Sequence, residues 1–157
     1  MRICYTVGVE RQKTFRRCSM RITHEADYAI RIMYCLAERN QTISAKQISD
    51  DSGVPSRFAL KILRRLTQAG LTESFKGVSG GYQLARAADQ ISLGEIIEVI
   101  DGPIEINHCL SSEFDCSRVQ QKNECTFHRL FSAINQDIRS KLYDLPLSQF
   151  VPEKNQA

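Results

Sequence analysis

The most reactive side chains are concentrated in one short segment, residues 108–128, HCLSSEFDCSRVQQKNECTFH. It contains three of the six cysteines and two of the three histidines in the chain. Thiols at Cys109, Cys116 and Cys125 could form a disulfide, bind zinc, act as a reactive thiol switch or hold a metal cluster. The closely spaced cysteine pair of a structural zinc site is missing, which disfavours zinc.

Composition limits the class of protein that carries this segment. The chain has 157 residues, is 42% hydrophobic and 25% charged, and has a formal net charge of +3, as is ordinary for a soluble globular protein. The N-terminus has no apolar core suited to a secretory signal, and no run of about 18 apolar residues could span a membrane. We therefore expect a cytoplasmic protein with no membrane partner. Thiols are kept reduced there, which disfavours a disulfide.

Charge is distributed unevenly along the chain. Residues 55–86 contain six Lys or Arg side chains and one acid, whereas residues 87–128 contain eight acids and two bases. A basic block followed by an acidic block indicates a module that faces a polyanion, joined to a part with another task.

The basic block begins with a helix-turn-helix pattern. Residues 24–39 form an amphipathic helix with a second, narrower apolar stripe, which we expect to pack against another chain. A short helix capped by Ser44 follows, and after the turn residue Gly53 comes PSRFALKILRRLTQAG. Its basic side chains lie off its apolar stripe, as in a helix that enters the DNA major groove. A plain α-hairpin with a solvated charged face is the alternative.

The elements that follow strengthen the DNA-binding interpretation. Residues 71–86, LTESFKGVSGGYQLAR, predict two strands joined by a glycine-rich turn, which is a wing with Lys76 near its tip. Ser92 and Glu95 form a capping box for the next helix. Residues 127–145 then form a long amphipathic helix without an obvious intrachain partner, which indicates a dimerisation helix.

Four segments together resemble a known family of bacterial regulators. They are MRITHEADYAIRIM at 20–33, VPSRFALKILRRLTQAGL at 54–71, KGVSGGYQLAR at 76–86 and SLGEIIEVIDGP at 92–103. Over roughly residues 20–145 the chain is similar to the IscR/NsrR family of winged-helix iron–sulfur transcriptional regulators. The resemblance implies a mainly α fold with a small β-hairpin wing, a winged helix-turn-helix, and a homodimer joined by a long C-terminal dimerisation helix.

The resemblance also assigns roles to the cysteine segment. Cys109, Cys116 and Cys125 match by position the triplet on which several members hold an iron–sulfur cluster, of 2Fe–2S or 4Fe–4S type. The fourth ligand would be His128, or Asp27 reaching the partner's cluster as in nitric-oxide-sensing members. Either residue could instead serve only to stabilise a helix start. The C-x6-C-x8-C spacing is looser than the family pattern, and other members act through thiols or metabolites without a cluster.

The predicted DNA contacts lie on the second helix of the helix-turn-helix and on the wing. They are Ser56, Arg57, Lys61, Arg64, Arg65 and Lys76. Arg57 and Lys61, behind Ser56 at the leading end of the helix, would read base edges. The remaining three would hold phosphates. Lys76 stands where the family often has an arginine, and a lysine is a point charge without the planar fork of arginine.

The predicted organisation has five parts. They are an N-terminal extension at 1–19, a winged helix-turn-helix domain at 20–103, a cysteine-rich cluster-binding loop at 104–126, a dimerisation helix at 127–146 and a flexible tail at 147–157.

The resulting hypothesis is a repressor that binds double-stranded operator DNA as a homodimer and senses iron, nitric oxide or redox state through its cluster. One alternative is a cluster-free, thiol-redox-sensing regulator. Another is an iron–sulfur electron-transfer or cluster-carrier protein, which would leave the basic helix and the wing unexplained. We expect no enzyme, because the sequence has no recognisable Ser/His/Asp constellation, phosphate loop or carboxylate pair.

Overall fold

The computed structural model describes residues 22–77, 79–119 and 121–152. Within these ranges the helices are α1 His24–Arg39, α2 Ala45–Ser52, α3 Ser56–Gln68, α4 Leu93–Asp101 and α5 Thr126–Tyr143, and the strands are β1 Thr72–Phe75 and β2 Gly81–Leu84. The prediction of a mainly α fold with a small β-hairpin is confirmed. The predicted extension at 1–19 lies outside the described residues. None of the described helices is long and apolar enough to cross a membrane.

Helix α1 lies at the centre of the core. Thr23 caps its first turn, its hydroxyl accepting a hydrogen bond from the Ala26 N–H at 3.2 Å. The helix packs against α2, α3 and α4. The expectation that its second apolar stripe is free for a partner chain is wrong. Ile32 is 0% exposed and Cys35 is 3% exposed, because the surrounding helices of the same chain already cover them.

The turn between α2 and α3 is closed by the side chains next to it. Gly53 ends α2 with a φ of 67°, a left-handed conformation that glycine adopts without steric cost. The buried Ser49 hydroxyl donates to the Val54 carbonyl at 2.7 Å and lies 3.0 Å from the Ser56 hydroxyl. These contacts fix the direction in which α3 leaves the turn. The core side chains of α3 are Ala59, Ile62, Leu63 and Leu66.

The hairpin is fastened to the helical core by a further stretch of extended chain. β1 and β2 pair in an antiparallel register that ends with Phe75 opposite Gly81. Ile43 exchanges two backbone hydrogen bonds with Tyr82, of 3.0 and 2.9 Å. A Cβ at position 81 would lie 2.2 Å from the Ile43 carbonyl oxygen, so this close approach of two backbones requires glycine.

Helix α4 begins with the predicted capping box. The Ser92 hydroxyl accepts from the Glu95 N–H, and the Glu95 carboxylate accepts from the Ser92 N–H, both at 3.1 Å. Helix α5 packs against α4 with the Tyr143 ring over Gly94, where a Cβ would lie 2.5 Å from the ring. The absence of a side chain at position 94 therefore sets the closest approach of the two helices.

The segment after α5 returns to the core. Leu147 is 1% exposed, and its N–H donates to the Ile91 carbonyl at 2.8 Å. A 3-10 turn follows at Leu147–Phe150. The predicted flexible tail is therefore wrong for residues 147–150, because one apolar side chain and a backbone pairing anchor a segment that is otherwise polar. Residues 153–157 lie outside the described part of the chain.

Candidate DNA-reading surface and cysteine loop

The side of α3 that faces away from the core is basic. Arg57, Lys61 and Arg64 are exposed, and their spacings of four and three residues place them on one side of the helix. We call these three residues the basic face. Ser56 is exposed in the first turn beside them. The Arg57 guanidinium lies 4.7 Å from the centre of the Phe58 ring, which keeps its charge close to the start of the helix.

Lys61 has an intrachain partner that the sequence did not indicate. Its ammonium group lies 2.9 Å from the carboxylate of Glu25, in the first turn of α1, and Arg65 approaches the same oxygen at 3.5 Å. The hydrogen bond from Lys61 lowers the pKa of Glu25, with help from the Arg65 charge and against the effect of partial burial. The Lys61 side chain is 62% exposed, so water screens this ion pair and a DNA phosphate could compete for it.

Arg65 is placed differently from the basic face. Its guanidinium donates to the carbonyls of Val99 and Ile100, at 2.8 and 2.7 Å. These carbonyls belong to the last turn of α4, which has no intrahelical donors for them. The structure thus uses Arg65 to join α3 to α4, which argues against the predicted phosphate contact. The sequence contains an indication of this role, because Arg65 lies between the exposed and the buried stripe of α3 and can therefore reach a neighbouring helix.

The hairpin presents a basic residue at its end. Lys76 follows β1 and is exposed, and Gly77 has a φ of 112° that turns the chain there. Phe75, at the end of β1, is 45% exposed. At the base of the same strand Thr72 is buried, so the hairpin is held at its base and projects at its end.

An apolar residue, Leu60, borders the basic face. Leu60 is 43% exposed, whereas its neighbour Ala59 is fully buried. Leu60 does not belong to the apolar stripe of α3, and this spacing indicates that its side chain is exposed.

The three cysteines lie on an irregular loop between α4 and α5. Cys109 is in a 3-10 turn at His108–Leu110, Cys125 immediately precedes α5, and Cys116 lies between them. All are partly exposed free thiols. Across the described parts of the chain, no three His, Cys, Asp or Glu side chains are close enough to hold a metal ion. The structure therefore does not gather the predicted ligands into one site.

The chemistry of these donors nevertheless suits a soft metal or an iron–sulfur cluster. Backbone N–H groups of Arg118 and Val119 lower the pKa of Cys116, which favours the thiolate. The Nδ1 atom of His128 is buried and has no hydrogen-bond partner among the described residues. The Asp27 carboxylate is instead engaged by Arg31 of the same helix at 2.9 Å.

The loop is fastened to α5 by a side-chain amide. Asn135 donates to the Ile104 carbonyl at 2.8 Å and accepts from the Ile106 N–H at 3.0 Å, so it pairs with the loop as a strand would. Further along, the Lys122 ammonium donates to the Ser111 carbonyl at 2.7 Å. These contacts restrain the ends of the loop and leave Cys116 between them.

A carboxylate on α4 completes the link to α5. Glu98 accepts from Arg139 at 2.8 and 3.1 Å, from the Tyr143 hydroxyl at 2.6 Å and from the Ile104 N–H at 3.1 Å. Burial alone would raise the pKa of Glu98, but these hydrogen bonds outweigh it and lower the pKa. Loop, α4 and α5 therefore meet at one charged side chain.

Comparison with known proteins agrees with this arrangement. Residues 22–153 match the Rrf2 family, described as iron-dependent transcriptional regulators. An Rrf2-like HTH-type transcriptional regulator of Rhodobacter capsulatus is 32% identical over 120 residues, which cover 72% of this chain and 80% of that protein. The HTH-type transcriptional regulator IscR of Yersinia pseudotuberculosis is 29% identical over 134 residues, covering 84% of this chain and 79% of that protein.

Solved structures show the same fold. CymR, the global cysteine regulator of B. subtilis, superposes with a TM-score of 0.65 at 25% sequence identity, covering 82% of this chain and 93% of that chain. The family match extends over nearly all the described residues, including the helix-turn-helix, the hairpin and the cysteine loop. This chain belongs to the Rrf2 family of winged-helix transcriptional regulators.

Proposed function

We propose that this chain is a homodimeric repressor whose operator binding is controlled by an iron–sulfur cluster at the cysteine loop. The observation that carries the DNA-binding mode is the basic face of α3, which the core of the same chain presents to solvent. Arg57 and Lys61 would reach base edges, and Arg64 and Lys76 would hold phosphates. Two copies would place their α3 helices in successive major grooves, about 34 Å apart.

The apolar side of α5 supports the homodimer. None of the described side chains of α5 is buried, although the helix is amphipathic. Phe127 is 55% exposed, Leu130 54% and Ile134 39%. Such a contiguous apolar row is costly to leave in water, and a second α5 of the same sequence would cover it.

The cluster would be held by Cys109, Cys116 and Cys125, as a 2Fe–2S or 4Fe–4S centre. When bound, it would supply iron–thiolate chemistry that iron supply, nitric oxide or oxidants can alter. His128 is favoured as the fourth ligand, because its Nδ1 atom has no partner while Asp27 is engaged by Arg31. Gathering three thiols would reorder the loop, and the loop adjoins both α4 and α5 through Glu98 and Asn135.

A cluster-free thiol regulator is the second candidate. The backbone groups that favour the thiolate of Cys116 also favour its reaction with oxidants. A second observation supports this candidate, because the chain shares its fold with a regulator named for cysteine. DNA binding would be the same in both candidates, and only the event at the loop would differ. An iron–sulfur electron carrier would not need the basic face.

Anaerobic purification distinguishes the two candidates. The cluster proposal expects brown protein with iron and acid-labile sulfide, and loss of both in Cys109→Ser, Cys116→Ser and Cys125→Ser variants. The control is Cys35→Ala, because that cysteine is buried in the core and remote from the loop in sequence. Colourless, iron-free protein after anaerobic reconstitution would exclude the cluster and leave the thiol regulator.

The DNA-binding mode is tested on duplexes that the full chain selects from a random library. Fluorescence anisotropy then measures the affinity of each variant for a selected duplex. Arg57→Ala should weaken binding to the selected duplex by about fivefold or more, because a good base contact is worth about 1–3 kcal/mol. Arg39→Ala removes the same charge at the far end of α1 and should change affinity little. Equal losses in the two variants would contradict the proposed orientation of α3.

A further inference from the structure

An apolar side chain lies at the edge of the most basic surface of the helix-turn-helix. Leu60 lies three residues after Arg57 and four before Arg64, so it borders the basic face of α3. It is 43% exposed and lies at the border with the core side of the helix, because the buried Leu63 follows three residues later. Leu60 therefore leaves a large part of its apolar surface in contact with water.

The basic residues around it can recognise only part of a DNA sequence, because Arg57 and Lys61 would donate to hydrogen-bond acceptors on base edges. Lys61 forms an ion pair with Glu25, and Arg57 lies against the Phe58 ring. The attraction of these cations for phosphates is the same in every sequence, and their base contacts do not detect an apolar group. A residue that distinguishes bases must respond to a group that only some base pairs present.

We infer that Leu60 is a specificity-determining residue that contacts the 5-methyl group of a thymine in the major groove. This rests on the proposed function, in which α3 enters that groove. The thymine methyl is the apolar group that the major groove presents, and a leucine side chain can bury it. The other base edges present donors and acceptors, which leucine would remove from water without a hydrogen bond.

The position of Leu60 supports this assignment over a chance exposure. Single exposed apolar residues are common on protein surfaces and need no explanation by themselves. Leu60, however, borders the basic face formed by Arg57, Lys61 and Arg64, so phosphate and base contacts from these residues would bring it into the groove. The part of its apolar surface that is exposed in the free chain would then be buried in the complex with DNA.

Uracil scanning tests the inference at the level of one methyl group. Duplexes of about 30 base pairs are selected from a random library with the full chain, and each thymine is replaced singly by uracil, which lacks only the 5-methyl. We expect one thymine in each half-site whose replacement weakens binding about fourfold, the effect of removing one buried methyl. With Leu60→Ala the thymine and uracil duplexes should bind equally, whereas Leu60→Met should retain the preference.

The outcomes separate the inference from the function on which it rests. If duplexes are selected but no thymine responds to uracil, or if Leu60→Ala keeps the same preference, the inference is wrong and the DNA-binding proposal stands. If no sequence is selected over random DNA, both fail. A selected site in which 5-methylcytosine substitutes for the thymine, with cytosine as its control, would support the methyl contact in a different base pair.

Discussion

The basic face of α3 and the cysteine loop differ in how far the core of the chain fixes them. Four side chains of α3 are fully buried, and the turn before it is closed by buried hydrogen bonds. None of the described residues between 103 and 125 is buried. The core therefore positions the candidate DNA-reading surface, whereas the loop is held mainly by polar contacts such as those of Asn135 and Lys122.

The largest expected effect on the free energy of unfolding comes from truncating a buried side chain of α3. Leu63→Ala should lower the free energy of unfolding by about 2–5 kcal/mol, because Leu63 is fully buried and its removal leaves a cavity. Leu60→Ala on the same helix should cost no more than about 1 kcal/mol, because 43% of the residue is exposed. Leu110→Ala, in the half-buried loop, should cost no more than about 1 kcal/mol. Urea unfolding monitored by circular dichroism measures all three variants.

The loop variant decides whether the comparison holds. If Leu110→Ala destabilised the protein as much as Leu63→Ala, the loop would belong to the cooperative core. Weak packing would then not explain why the three cysteine side chains are not close together.

A smaller effect is expected at Glu98, where the two regions meet. The pKa of Glu98 is lowered from an ordinary value of 4.5, because hydrogen bonds to Arg139, Tyr143 and Ile104 outweigh its burial. A depressed folded-state pKa means that the unfolded chain binds the proton more readily. This contribution is therefore present above about pH 5 and is lost as pH falls through the folded-state pKa.

The unfolding free energy measured from about pH 6 down to pH 3 should therefore fall more steeply for the wild-type chain than for Glu98→Gln. Glu113→Gln, at an exposed loop position, serves as the control and should keep the wild-type slope. A slope unchanged by Glu98→Gln would mean that the hydrogen bonds from α5 do not stabilise the carboxylate.

Local signals in the sequence were sufficient where neighbouring residues decide the structure. Ser92 and Glu95 complete a box within one helical turn, and Gly53 provides a left-handed turn residue. The side chains off the apolar stripe of α3 were predicted to be exposed for the same reason. Periodicity identifies which residues share a side of a helix without any knowledge of what that side meets.

The features that the sequence did not predict are contacts between distant segments. Arg65 has the same charge as Arg64, and only the position of α4 shows that its donors are taken by two carbonyls. Leu147 is one apolar residue in a polar segment, and pairing with Ile91 brings it into the core. The candidate metal site is equally hard to predict, because its three thiols come from a loop in which none of the described residues is buried.

The smallest expected effect tests whether Glu25 restrains the basic face. Glu25→Gln removes the carboxylate that pairs with Lys61, leaving the ammonium group available for a phosphate. Because an exposed ion pair is worth at most about 1 kcal/mol, affinity for random-sequence DNA should rise by no more than about fivefold. The rise should shrink as salt increases, since it is electrostatic. The matched control is Glu38→Gln, which removes the same charge from the other end of α1. Equal increases in both variants would assign the effect to net charge, whereas a rise confined to Glu25→Gln would show that Lys61 is held in competition between its own chain and DNA.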